Sequence, residues 1–139
     1  MSDLVIEAGP QKFRARMETG KAPLTCAAFM KLLPFKENLL HVRWSGEATW
    51  VPLGNLQVAV PPENATVYPL PGEILLYSGG LSETELLIPY GRTQFGSRAG
   101  LLAGNHFLTI VSGNEHLAEL GRLILWEGVQ PIIIDILED

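Results

Sequence analysis

The chain has 139 residues, 47% of them hydrophobic and 18% charged, and carries a formal net charge of −5. That length reads as a single domain over residues 1–139, able to bury roughly 70% of the surface its unfolded form exposes, so its core requires neither disulfide nor metal. The acidic balance and the lack of any lysine or arginine run exclude nucleic acid as a partner, because phosphate binding needs a basic face, and the lone Cys26 excludes an internal disulfide and a thiolate metal cluster.

Leu4 to Ala8 and Lys12 to Met17 read as two strands joined at Gly9-Pro10. In the second, Phe13, Ala15 and Met17 alternate with Lys12, Arg14 and Arg16, the period of two that turns one face inward. Pro23 suits the first turn of a helix, where its missing N–H leaves nothing unpaired. The helix is expected to run to about Leu33, with Leu24, Ala28, Phe29, Leu32 and Leu33 on one side, and to end at Pro34. Cys26 reads as a small buried hydrophobe within it. Leu39 to Ser45 and Ala48 to Leu53 form a hairpin whose turn is Gly46-Glu47, with glycine at the first central position as a type II′ turn prefers. Ile74 to Tyr77, Leu86 to Pro89 and Phe107 to Val111 are further strands, and a polar, glycine-rich stretch from Tyr90 to Arg98 reads as a loop between them. Ser112 and Glu115 make a capping box that opens a second helix, with Leu117, Leu120, Leu123, Ile124 and Trp126 inward and Gly128 as its stop. Ile132 to Leu137 is almost continuously apolar, as in a central strand buried on both faces. The class is therefore mainly β, a closed or nearly closed barrel with two α-helices; too few helices alternate with strands for a doubly wound parallel sheet.

Alternation along the first strand of the Leu39–Leu53 hairpin puts His41, Arg43 and Ser45 on one face, successive side chains about 6.7 Å apart, and turns Leu40, Val42 and Trp44 to the other, toward the core. With Gly46-Glu47 as the turn, Arg43 pairs with Trp50 on the mixed face. That face is either solvated surface, where arginine over tryptophan is an ordinary cation–π pair, or a ligand cleft. Tyr90 and Arg92 offer a phenol and a guanidinium from the glycine-rich loop, and Arg92 with Arg43 could fork a carboxylate. Glu63 could orient a histidine or an arginine, while Asn64 and Thr66 suit local turn bonds. Asn105 either caps its strand or points into the cleft. His41, His106 and His116 share no H-x-H or H-x-x-x-H spacing, so no metal is expected. Neither a Walker loop nor a G-x-S-x-G elbow is present, and no cofactor is expected.

Several of these segments together resemble a bacterial family of unknown function with a cyclophilin-like barrel: Leu33-Pro34-Phe35, His41 to Gly46, Pro62 to Pro69, Pro71-Gly72-Glu73, Tyr90-Gly91-Arg92 and Gly104-Asn105-His106-Phe107. The likeness covers nearly the whole chain. Lys21-Ala22-Pro23-Leu24-Thr25 running into Phe29 is similar to the first helix of cyclophilins, and His41-Val42-Arg43-Trp44 to the strand that carries their catalytic arginine. Where cyclophilins have a glutamine-rich strand and an Asn-Gly-Ser-Gln-Phe-Phe-type segment, this chain has Trp44-Ser45-Gly46 and Asn105-His106-Phe107. The resemblance implies a cyclophilin-like barrel with its cleft on the Leu39–Leu53 hairpin.

These readings converge on a domain that binds, or an enzyme that acts on, a small polar molecule bearing a carboxylate or amide. His41, Arg43 and Tyr90 are the candidate catalytic residues, and Ser45, Trp50, Glu63, Arg92 and Asn105 the candidate binding residues. Peptidyl-prolyl isomerisation and a non-catalytic subunit are the two rivals. No stretch reaches the ~18 apolar residues that crossing a bilayer takes, so no membrane partner is expected. The acidic Met1-Ser2-Asp3 start shows no secretory core, which makes the cytoplasm the expected location. The low charge content points to self-association as a homodimer or higher homo-oligomer.

Overall fold

The structure, a computed structural model, describes residues 3–138; Met1 and Ser2 of the acidic start lie outside them, as does Asp139. In chain order the elements are β1 (Leu4–Ala8), β2 (Gln11–Met17), α1 (Pro23–Met30), β3 (Phe35–His41), β4 (Gly46–Gly54), β5 (Ala65–Thr66), β6 (Glu73–Tyr77), β7 (Thr84–Thr93), β8 (Gly96–Ser97), β9 (Gly100–Leu101) and β10 (Gly104–Ser112). A single 3₁₀ turn (Asn114–His116), α2 (Leu117–Glu127) and β11 (Gln130–Ile136) follow. The strands run β2-β1-β11-β3-β4-β7-β6-β10, and β10 pairs back onto β2, which closes an antiparallel barrel of eight strands.

Alternation fills the barrel. Leu4 and Ile6 of β1 lie opposite Ala15 and Phe13 of β2, and all four are buried. Leu39, Val51, Ile74, Leu76, Leu86, Ile88, Ile132 and Ile134 join them from the other strands. Helix α1 adds Phe29, whose ring packs 5.2 Å from Phe35 and 5.0 Å from Phe107. Helix α2 lies against β3, β4 and β7 and buries Leu117, Leu120 and Ile124. No helix among the described residues is long and apolar enough to cross a membrane.

A second apolar cluster lies outside the barrel wall. It consists of Ala48, Leu75, Leu87, Phe95 and Leu102, with Val42, Trp50 and Tyr77 against it. The segment between β7 and β10, which carries the short β8–β9 ladder, supplies Phe95 and Leu102 to this cluster. Strand β7 is therefore covered on both faces, and Thr84 to Pro89 are all buried.

Several local expectations need correction. Helix α1 ends at Met30, because a residue before proline avoids the α region and the last amides turn to tighter bonds, Leu32 N–H to Phe29 O and Leu33 N–H to Met30 O. Leu24 is 54% exposed, not inward. Ser112 ends β10 instead of capping a helix; Gly113, in the left-handed region, makes the turn, and α2 has no side-chain cap. Trp126 is 80% exposed, on the outer side of α2. Strand β11 is central, between β1 and β3, yet only Ile132 and Ile134 are buried; Ile133 and Ile136 face out. Tyr90 to Thr93 continue β7 instead of forming a loop.

The turn of the β3–β4 hairpin lies earlier than Gly46-Glu47. Leu40 pairs with Trp50 and His41 with Thr49, so Val42, Arg43, Trp44 and Ser45 form the connection. Gly46 already belongs to β4, at φ +95°, where a Cβ would stand 2.6 Å from Arg92 O. Glycine is needed there for close approach to β7, not for the bend of the hairpin.

Candidate functional site

The shifted turn decides where the candidate residues go. Leu40 and Val42 turn to the outer side, and Val42 packs against the outer cluster. A cleft of about 540 Å³ opens beside this turn. Its lining comes from Leu40 to Ser45, Trp50 of β4, Glu85 of β7, Leu81 and Ser82 before β7, Gly96 to Ala99 around β8, and Ile124, Gly128 and Val129 at the end of α2. His41, Arg43, Ser45 and Trp50 thus share one concave space.

Their chemistry differs. The Nδ1 of half-buried His41 is 2.8 Å from Val42 O, and a carbonyl only accepts, so Nδ1 carries the hydrogen. In the neutral ring Nε2 then accepts the Tyr90 hydroxyl at 2.8 Å. Both nitrogens are occupied by the protein, and the two rings meet edge to face with centroids 5.6 Å apart. Tyr90 stands behind His41, outside the cleft lining, and burial raises its phenol pKa, as does the charge of Glu47. Ser45 is buried, and its hydroxyl both donates to Gly96 O and accepts Gly96 N–H, each at 3.1 Å. It pins the β8 segment to the hairpin connection.

Arg43 is exposed and lines the cleft; Trp50 pairs with Leu40, not with Arg43, and no cation–π contact joins the two among the described residues. Arg98, from the β8–β9 turn, is the cleft's second guanidinium. Among the described residues neither arginine has a carboxylate within 4.0 Å. Arg92 does not join Arg43: it lines another concavity with Glu47, Tyr68 and Leu70, and its N–H bonds Glu47 Oε1 at 2.8 Å.

Glu63 and Asn105 lie together but away from the cleft. Glu63 Oε1 accepts from the Thr25 hydroxyl at 2.6 Å and from the Thr25 N–H, in the first turn of α1. Asn105 Oδ1 accepts Glu63 N–H, and its amide donates to Thr25 Oγ1 and Pro61 O. This set ties the segment before β5 to α1 and β10. Thr66 makes the local bond expected of it, from Tyr68 N–H, whereas Asn64 reaches across to His106 O. Cys26 is buried, bonded to Phe107 O, and burial pushes its thiol up to about 11, so it is neutral at pH 7.

Two cleft residues escaped the sequence reading. Arg98 stood in a stretch already noted for its glycines. Glu85 gave no signal beyond a lone acid beside an apolar run: it is 6% exposed, and burial, with the charge of Glu83 adding, pushes its carboxyl up to about 8.

A family model described as "Protein of unknown function (DUF3830)" matches residues 4–135. No curated protein matches the chain. Among solved structures, McbB in complex with tryptophan aligns with a TM-score of 0.73 at 16% identity, over 98% of this chain and 45% of McbB. The solution structure of the hypothetical protein AF2241 from Archaeoglobus fulgidus aligns with a TM-score of 0.63 at 18% identity, over 98% of this chain and 95% of AF2241. At such identities the likeness is one of fold, and this chain spans less than half the length of McbB.

Proposed function

Since the chain belongs to the DUF3830 family, whose function is unknown, we propose from its own cleft that it binds a small carboxylate-bearing molecule with an apolar body. The observation that carries this reading is the pair of guanidiniums, Arg43 and Arg98, without acidic partners among the described residues, at one cleft in a chain of net charge −5. Carboxylates are held by such forks, and Trp50, Val129 and Ile124 offer the apolar body a surface. A cleft of about 540 Å³ lies within the roughly 300–1,000 Å³ usual for small-molecule sites. The tryptophan complex of McbB supports the reading, because tryptophan joins a carboxylate to an aromatic body. The cyclophilin-like reading of the barrel rests on the motifs named earlier, and it too favours a site on the β3–β4 hairpin.

Thermal melting against aryl-substituted carboxylates and their neutral amides tests this. At a concentration of 100 Kd a carboxylate ligand stabilises the fold by about 2.7 kcal/mol, the matching amide does not, and Arg43→Ala removes the shift. Equal shifts for carboxylate and amide, or a shift that survives both Arg43→Ala and Arg98→Ala, would overturn it.

A further inference from the structure

Glu85 stands in an unusual position for an acid. It belongs to the outer face of β7, in alternation with Leu87, and lies across from Pro52 of β4 and Tyr77 of β6. It is more than nine-tenths buried and yet lines the cleft. Among the described residues nothing hydrogen-bonds its carboxyl. Its oxygens are not among the fully covered atoms left unpaired, so they keep contact with the cleft, where a ligand can reach them. The Tyr77 hydroxyl accepts the Leu81 and Ser82 N–H groups, and the Glu83 carboxylate accepts Gly54 N–H. We infer that the Glu85 carboxyl is the cleft's second anchor, donating a hydrogen bond to a carbonyl-type oxygen on the bound carboxylate, so that the ligand is an oxo- or acyl-carboxylate.

This rests on the carboxylate reading above and adds the ligand's second recognition group. The charged and titratable groups around Glu85 are Glu83 on its own chain segment, Tyr77 on β6, His41 and Arg43 from the β3 end, and Arg98 from the β8–β9 turn; Pro52 and Trp50 of β4 and Ile124 of α2 bring none. Burial and Glu83 both favour the neutral acid, and neither guanidinium is near enough to offset them. The arginines and Glu85 therefore mark two separate parts of one cleft, which a single ligand spans. A neutral carboxylic acid has one O–H to give, and the burial of the residue, with Glu83 beside it, keeps that proton in place at neutral pH. An ammonium in the same place would demand ionisation against burial and against Glu83, whereas a carbonyl oxygen takes the bond without any movement of charge.

Calorimetric titration of the full chain with two matched pairs tests this: 4-oxo-4-phenylbutanoate against 4-phenylbutanoate, and phenylpyruvate against 3-phenylpropanoate. At pH 6.5 at least one oxo member is expected to bind about tenfold tighter than its partner, the worth of about 1.4 kcal/mol. In the wild type that preference disappears at pH 9.5, once the acid has lost its proton. Glu85→Gln keeps it at both pH values, since an amide donates but does not ionise, and Glu85→Leu lacks it at both. A purely structural role for Glu85 would move neither the preference nor its pH dependence. Equal affinities within both pairs at pH 6.5 overturn the inference, as does a preference that persists in the wild type at pH 9.5. Should Glu85→Leu not fold, the contrast between wild type and Glu85→Gln decides. Binding of the plain members that Arg43→Ala abolishes upholds the carboxylate reading whatever the pairs show; binding of none of the four overturns both.

Discussion

Replacing Glu85 by glutamine should make the protein more stable, and more so as the pH rises. In the unfolded chain this carboxyl titrates near the ordinary 4.5, in the folded chain near 8. Between those values the folded protein keeps a proton that the unfolded chain has given up, so stability is highest below 4.5 and falls as the pH climbs to about 8. At about 1.36 kcal/mol per pH unit the whole interval is worth about 5 kcal/mol. Entry of water into the cleft on ionisation would lower this to a few kcal/mol, still a large share of the roughly 5–15 kcal/mol that holds a domain together. Glutamine has the same shape and no proton to lose. Urea denaturation of both proteins at pH 5.0, 6.5 and 8.5 isolates the effect, because every other titrating group cancels in the difference. The advantage of Glu85→Gln should grow by at least 2 kcal/mol across that range. A difference that stays flat, or that shrinks as the pH rises, would mean that Glu85 is solvated or paired, and the cleft would lose its neutral donor.

Two further substitutions probe packing behind the cleft and a polar tie away from it. In Gly121→Ala the new Cβ would lie 2.5 Å from the Tyr90 ring, so the ring must move and draw its hydroxyl from His41 Nε2. Overpacking of that kind costs about 1–3 kcal/mol, measured by urea denaturation, and a wild-type midpoint would refute the close contact between α2 and β7. Glu63→Ala removes the acceptor for both the Thr25 N–H and its hydroxyl, which should cost about 1–3 kcal/mol. Ligand affinity should not change; a loss beyond threefold would return Glu63 to the binding site.

The barrel was legible because its signals are local. Phe13, Ala15 and Met17 alternate as a strand facing a core must, and Gly9, Gly113 and Gly128 occupy left-handed turns next to segments of clear periodicity. What stayed hidden depends on contacts distant in sequence. The Gly46-Glu47 turn looked right by local chemistry, yet Gly46 answers to Arg92 O of β7, and the bond between Ser45 and Gly96 draws the chain aside before the glycine is reached. That one shift parts Arg43 from Trp50. Trp126 and Ile133 follow an apolar pattern that their partners do not complete, so they remain outside. The Tyr90 to Arg98 stretch reads as a loop because its second apolar layer, Phe95 and Leu102 on Leu87 and Leu75, forms only once the barrel exists. For the same reason Glu85 was invisible: an acid before Leu86, Leu87 and Ile88 looks like the solvent edge of a strand until a second layer covers it.

That layer also explains why the cleft lies where it does. An eight-stranded barrel is just wide enough for its interior to be filled by side chains, and here Leu4, Ile6, Leu39, Val51, Ile74, Leu86 and Ile132 fill it. Room for a ligand must then come from what is added to the wall. The segment between β7 and β10 spreads over the outer faces of β4, β6 and β7, Ser45 fixes its near end through Gly96, and the end of α2 brings Val129 and Gly128 to the third side. Of the cleft groups that the proposed ligand would meet, Arg98 stands on that addition, Glu85 on the face of β7 beneath it, and Arg43 in the hairpin connection beside it. Changes to the β8–β9 turn should therefore alter which molecule binds without unsettling the eight strands, and changes to the barrel core should do the reverse.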